Sequence, residues 1–286
     1  MDTLENRTRE LASAVPAPSR VLVAGSRGFP SAGEEAAFFA SLHQSNGTTR
    51  MTSSGRLSEV NAAIASCLPR GTALEALDVG ISSGVSTVEW LDSLEELGHK
   101  CSMTALDRVL RARLYHFGHI EVLAEMSTHT LLIHTGRRVF MRPTRSLAQW
   151  RNRFVRSAFR LTDIFARLFR RVGAGREVRL VSQRLLSRPE IRLVEHDLFS
   201  PAADWVGRFH VVRVANVLNR GYFAESVLRA GLRNTGDWVR LGGLLAVGRT
   251  GPDGRNHASI FRRENDRFTI INRIGAGSEV EALVTQ

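Results

Sequence analysis

Short apolar runs closed by glycine alternate with helical periodicity along much of this chain. From Ala73 the pattern is that of an α/β unit. Leu74 to Val79 is a strand-length apolar run, Gly80-Ile81-Ser82-Ser83-Gly84 is a tight turn, and Ser86 to Leu97 carries helical spacing ended by Gly98. Ser102 to Leu106 reads as the next strand and is closed by Asp107. The alternation stops there and resumes at Ile191 to Val194, which leads into Glu195-His196-Asp197. Phe209 to Ala215, a helix around Glu225 to Thr235, and Leu244 to Val247 follow. Near the C-terminus, Phe268 to Ile274 and Glu279 to Val284 flank Gly275-Ala276-Gly277 and predict an antiparallel hairpin. Together these elements predict an α/β fold: a Rossmann-like, mostly parallel seven-stranded sheet with helices on both faces.

The segments outside this pattern divide the chain further. Residues 1–72 read as an N-terminal arm and helices: a polar stretch to residue 19, a short strand at Arg20 to Gly25, a helix over Gly33 to His43, and an amphipathic helix over Ser58 to Cys67. Gly25-Ser26-Arg27-Gly28 matches no full phosphate-binding fingerprint and is read as a plain turn. Residues 73–107 and 189–286 carry the α/β pattern. Residues 108–188 interrupt it with strand-like pieces at Ile120 to Ala124, Leu131 to His134 and Arg138 to Met141, then one long helix. Leu147, Trp150, Phe154, Ala158, Leu161, Phe165, Leu168 and Val172 form its apolar stripe. This inserted basic α+β segment is expected to be a cap whose stripe packs on the rest of the chain or on a partner subunit, with its arginines facing an anionic acceptor or a membrane.

Composition narrows the classes. With 43% hydrophobic and 23% charged residues in 286, the chain is expected to bury a core rather than stay disordered. No apolar run approaches the ~20 residues of a membrane span, and Met1 to Glu10 lacks the features of a secretory signal, so the expected location is cytoplasmic. Cys67 and Cys101 match no metal-ligand spacing. The basic residues are 38 Arg and one Lys, Lys100, and the net charge is +11. From Arg108 to Arg192 there are 19 Arg and five acids, a balance of 19 − 5 = +14, so the remainder sums to 11 − 14 = −3. His116, His119, His129 and His134 also fall in this segment, without acids or cysteines at ligand spacing, and no metal is expected.

A strand-to-helix turn of small residues lets a ligand approach the backbone closely, beside a helix N-terminus. Asp78-Val79-Gly80-Ile81-Ser82-Ser83-Gly84 supplies such a turn. Asp107, at the end of the next strand, lies where a carboxylate accepts the hydroxyls of a ribose, and Asp197 ends the third strand, suited to an exocyclic amine. This order, continued by Ala215-Asn216-Val217-Leu218-Asn219 and Leu241-Gly242-Gly243-Leu244-Leu245, resembles the class I S-adenosylmethionine-dependent methyltransferases. Asn216-Val217-Leu218, with Tyr222-Phe223 beyond it, looks most like the chemotaxis receptor (protein-glutamate) methyltransferases, although Arg220 and Gly221 are extra here and the middle glycine of Gly-x-Gly-x-Gly is missing. The resemblance implies S-adenosylmethionine as cofactor, bound by Asp78, Gly80, Ser82, Gly84, Asp107, Asp197 and Asn216. It implies Asn216 beside the methionine moiety and Asn219 or Tyr222 facing the acceptor, with capping of the following turn as the alternative role of Asn219.

The acceptor class stays open between a small molecule and a protein, with a homodimer as a possible assembly. An RNA-modifying or RNA-binding protein is the alternative offered by the +14 segment. A further alternative sets the long helix on a membrane surface, with apolar side chains in the interface and arginines over anionic lipid. A nicotinamide-dependent enzyme is disfavoured, because Gly80-x-x-x-Gly84 does not make Gly-x-Gly-x-x-Gly.

Overall fold

The computed structural model describes residues 15–23, 29–45, 50, 54–136, 138–142, 152–251, 253–265 and 267–285, without the side chains of 152–155. In chain order the principal elements are α1 (Pro18–Leu22), α2 (Ala32–Ala40), α3 (Ser58–Ser66), β1 (Ala73–Val79), α4 (Val85–Glu96), β2 (Lys100–Asp107), β3 (Arg111–Phe117), β4 (Ile120–Glu125), β5 (Thr130–His134), β6 (Val139–Met141), α5 (Asn152–Arg171), β7 (Arg176–Arg179), β8 (Ile191–Glu195), β9 (Phe209–Ala215), α6 (Glu225–Trp238), β10 (Val239–Thr250), β11 (Asn256–Glu264), β12 (Arg267–Ile274) and α7 (Glu281–Val284). They form two compact units. One comprises Met1–Ser53 with Val109–Gln183, the other Ser54–Arg108 with Arg184–Gln286.

The second unit is built on a seven-stranded sheet of order β12-β11-β10-β9-β1-β2-β8. The five strands from β10 to β8 run parallel, while β11 is antiparallel to β10 and β12 to β11. β1 and β9 are buried along most of their length, as parallel strands covered on both faces must be. Leu77, Val79, Val212, Val214 and Leu245 of the sheet pack with Leu228, Leu232 and Trp238 of α6 and with Val280 and Leu283 at the C-terminus. After β1, the chain adds β2 and β8 on one side, then crosses to add β9 and β10 on the other. The order therefore reverses between β1 and β9, the kind of point at which open α/β sheets place their ligands.

The C-terminal hairpin is not the one expected. The partner of β12 is β11, paired from Ala258 with Ile274 to Glu264 with Arg267, and the end of the Glu279 to Val284 segment is helical. Val280 and Leu283 are both buried and stand three residues apart, so helical spacing buries both at once where strand alternation would separate them.

The first unit carries a five-stranded sheet of order β6-β5-β4-β3-β7, antiparallel throughout. Where Arg20 to Gly25 was expected to be a strand, α1 forms instead. Pro18 sits in its first turn with a preset φ, and Val21 and Leu22 are buried. Gly25 to Gly28 lie outside the described residues. α2 starts with a reciprocal Ser31–Glu34 capping box and buries Phe38 and Phe39 with Leu114, Leu123, Leu131 and Leu180. Ser19 donates to Glu121, Ser45 to Glu125, and Ser182 to the buried Glu35. The described residues before 54 therefore group with the insertion, a different division from the 1–72 and 108–188 segments read from sequence.

α5 falls within the predicted helix, but its buried face differs. Asp163 accepts the Thr130 N–H at 2.7 Å and the Arg142 guanidinium at 2.6 and 2.7 Å, and Arg142 also donates to Thr130 O. This pins Phe159 and Ala166 into a cluster with Tyr115, Val122 and Ile133 of the sheet. Ala158, Leu161, Phe165, Leu168 and Val172 of the predicted stripe are exposed. Within its own unit, the face of α5 that packs is therefore the one bearing Phe159 and Ala166, not this stripe. Leu147, Trp150 and the side chain of Phe154 lie outside the described residues.

Candidate functional site

The turn after β1 is held by the end of β2. Gly80 and Ile81 donate their N–H groups to Leu106 O at 2.7 and 3.2 Å, and Ser82 donates its N–H to Asp107 Oδ2 at 2.8 Å. Gly80, Ser82 and Gly84 all have positive φ, near 75°, 57° and 82°. The chain can reverse so sharply because two of these three residues have no Cβ. Space also demands glycine: a Cβ on Gly80 would collide with Val217 Cγ2, and one on Gly84 with Leu185 Cδ1. The side chains of Val217 and Leu185 therefore lie directly over the turn.

Asp78, one residue before the end of β1, points into a closed polar network. Arg213 of β9 forks onto it, Nε to Oδ1 at 2.9 Å and Nη2 to Oδ2 at 2.6 Å, and Thr87 Oγ1 donates to Oδ2 at 2.7 Å. The same guanidinium donates to Asn61 Oδ1 and Ser86 O and lies 4.4 Å from the centroid of Trp90. Asp78 and Arg213 are both buried. The network ties α3, β1, β9 and the first turn of α4 together behind the glycine turn. Neighbouring Arg56 has a buried Nε with no partner among the described residues. Its pKa is lowered by burial first and by the charge of Arg213 second.

The other candidate residues end strands at the same edge of the sheet. Asp197 follows β8, with Oδ1 accepting the Phe199 N–H and Oδ2 3.7 Å from Arg108 Nε. Asn216, with φ near 61°, follows β9. It donates its N–H to Gly248 O and accepts the Thr250 N–H on Oδ1, clamping β9 to β10. Asn219 Oδ1 accepts the Gly221 N–H at 2.6 Å, and its carbonyl accepts from Tyr222 and Phe223. This is the turn-capping geometry. Tyr222 is exposed. The extra residue Arg220 bonds Glu279, which also pairs with Arg249 at 3.2 Å.

A cavity of about 600 Å³, to which no sequence motif points, is lined by Glu59, Gly254, Arg255, Asn256, His257, Gly275 and Ala276. It lies where β11 begins and β12 ends. Asn256 Oδ1 accepts from Thr250 Oγ1 at 3.0 Å, so the cavity is two hydrogen bonds from Asn216. His257 Nδ1 accepts the Ala276 N–H, which leaves Nε2 to carry the proton of the neutral ring. These residues are brought together across three segments, and no local spacing announces them.

No protein-family model matches the sequence, and no curated protein sequence matches it. Solved structures to which this chain is similar include the 1,6-didemethyltoxoflavin N1-methyltransferase of Burkholderia thailandensis (14% identity, 74% of this chain and 62% of that one, TM-score 0.34). The N-methyltransferase NodS of Bradyrhizobium japonicum WM9 is similar at 13% identity over 72% of this chain and 67% of that one, with a TM-score of 0.34. The CMeT domain of the citrinin polyketide synthase is similar at 17% identity over 63% of this chain, with a TM-score of 0.33. This chain spans 30% of that last structure's length and 62% of the toxoflavin enzyme's. TM-scores this low transfer neither fold nor activity.

Proposed function

We propose that the second unit binds S-adenosylmethionine across the turn after β1 and places its methyl group before an acceptor at the carboxyl edge of the sheet. The observation that carries this reading is the coincidence of the β1/β9 switch point with a glycine turn in which Gly80, Ser82 and Gly84 are left-handed and the Ser82 N–H is bonded to Asp107. Ligands of open α/β sheets settle at such a point, and an acid at the end of the second strand suits a ribose diol. Asp107 would hold the ribose, Asp197 the adenine amine and Asn216 the amino-acid end. Asp78 supports the turn from behind through Arg213 and Thr87. Asn219 and Tyr222 would stand on the acceptor side, and the cavity around Glu59, Arg255 and His257 offers room for a small acceptor or a protein side chain.

The bound sulfonium supplies an activated methyl group, so the protein has chiefly to align the acceptor and exclude water. Val217 and Leu185 lie over the glycines, so binding requires them to give way. Calorimetry with S-adenosylmethionine, S-adenosylhomocysteine and NAD tests the reading. The first two should bind and NAD should not. Asp107→Ala should weaken binding by about 10- to 150-fold, the equivalent of losing a charged hydrogen-bond acceptor worth about 1.5–3 kcal/mol. Unchanged affinity in that variant, or binding of NAD alone, rejects it.

A further inference from the structure

The first unit presents α5 with three distinct faces. Phe159, Asp163 and Ala166 face its own sheet. Leu168 lies about 180° round the helix from Phe159, and with Leu161, Ile164, Phe165 and Val172 it forms a stripe whose members are 51 to 72% exposed. Arg156, Arg160, Arg167 and Arg171, spaced by four, seven and four residues, run along one flank of that stripe, all exposed. Arg167 donates to Thr128 Oγ1 at 3.2 Å. Arg156, Arg160 and Arg171 have no partner among the described residues. The apolar surface continues onto the β3–β4 hairpin, where Phe117 and Ile120 are exposed. Phe117 and Phe169 have ring centroids 5.3 Å apart, and Phe169 and Phe165 6.3 Å. Among the described residues no helix is long and apolar enough to cross a membrane.

We propose that this face docks the protein on an anionic phospholipid surface, with α5 lying in the headgroup plane, its apolar stripe in the acyl boundary and its arginine flank on lipid phosphates. The charge pattern selects this occupant. Nucleic acid would satisfy the arginines and leave the apolar residues in water. A second copy packed antiparallel on the stripe would bring two arginine rows to the same side. An anionic bilayer satisfies both faces at once. The inference is independent of the cofactor site.

Co-sedimentation of the full chain with phosphatidylcholine vesicles, with and without phosphatidylglycerol, tests it. Binding is expected to the anionic vesicles alone and to weaken as salt rises. F165Q/L168Q should reduce binding at least tenfold with an unchanged melting temperature, because both side chains are already exposed. R156Q/R160Q/R171Q should weaken it by roughly fivefold per arginine, and this variant keeps the test decisive if the apolar one misfolds. Absence of binding to anionic vesicles at low salt overturns the proposal, as does unchanged binding in either variant. A dimer in light scattering that F165Q/L168Q dissociates would also overturn it, assigning the face to self-association.

Discussion

A carboxylate and a guanidinium removed from water leave little room for substitution, and Asp78 with Arg213 is such a pair. Arg213→Met should cost about 3–5 kcal/mol in urea unfolding, because Asp78 would remain buried without its counter-charge; a loss below about 1 kcal/mol would show that water reaches it. At the turn, Gly80→Ala should be destabilising by about 1–2 kcal/mol for the left-handed backbone and a further ~1–3 kcal/mol for crowding against Val217. Val217→Ala in the same chain should recover the crowding part and leave the backbone part, a double-mutant cycle read in denaturant midpoints. Burial pushes the Cys101 thiol up to about 12, with Glu95 adding to the shift. Iodoacetamide at mildly alkaline pH should therefore label Cys67 and spare Cys101 in the folded protein, as mass spectrometry can show. The glycines, Asp107 and the strand-ending asparagines were legible in the sequence, because strand, small-residue turn and helix follow one another locally. The engagement of Asp78 by Arg213 was not legible, since the two lie 135 residues apart and meet only when β1 and β9 pair.

Elements are fixed by their partners as much as by their own spacing. His129, packed near α5, has its pKa lowered by burial first and by Arg142 second, with Glu125 and Asp163 opposing. A histidine depressed in the folded state binds fewer protons there than in the unfolded chain. Its contribution to stability is complete above the unfolded value of about 6.5 and declines as pH falls from there toward the folded value. Thermal melts should thus fall between neutral pH and pH near 5, and His129→Gln should flatten that slope; an identical slope in the variant would assign it elsewhere. The helical period of residues 147–172 was plain in sequence, yet periodicity says only that a helix has an apolar side. Asp163 on Thr130 and Arg142 decides that Phe159 and Ala166 face inward. The same ambiguity explains the C-terminus, where Glu279 to Val284 reads equally as alternation or as helical spacing until Val280 and Leu283 find the core.

At the scale of the molecule, the chain leaves its parallel sheet after Asp107, builds the antiparallel unit, and returns at Arg184 to form β8 beside β2. If the sheet unit holds its own core, residues 54–108 joined to 184–286 by a flexible linker of about 10 residues, enough with Arg108 and 184–190 for a parallel crossover, should melt cooperatively and keep the ligand affinity of the full chain. A non-cooperative melt would show that the two units fold only together. The α/β alternation, the turn at the edge of β1, the basic segment and the existence of a long amphipathic helix can all be read along the chain, because each is written in residues close together, where hydrophobic period, glycine and charge act locally. Four features had to wait for the fold: the grouping of the described residues before 54 with the insertion, the pairing of β12 with β11 rather than with the last residues, the placement of Val217 and Leu185 over the glycines, and the side of α5 left outside its unit's core. Each of those depends on contacts between distant segments, and their geometry exists only once the strands have chosen their neighbours.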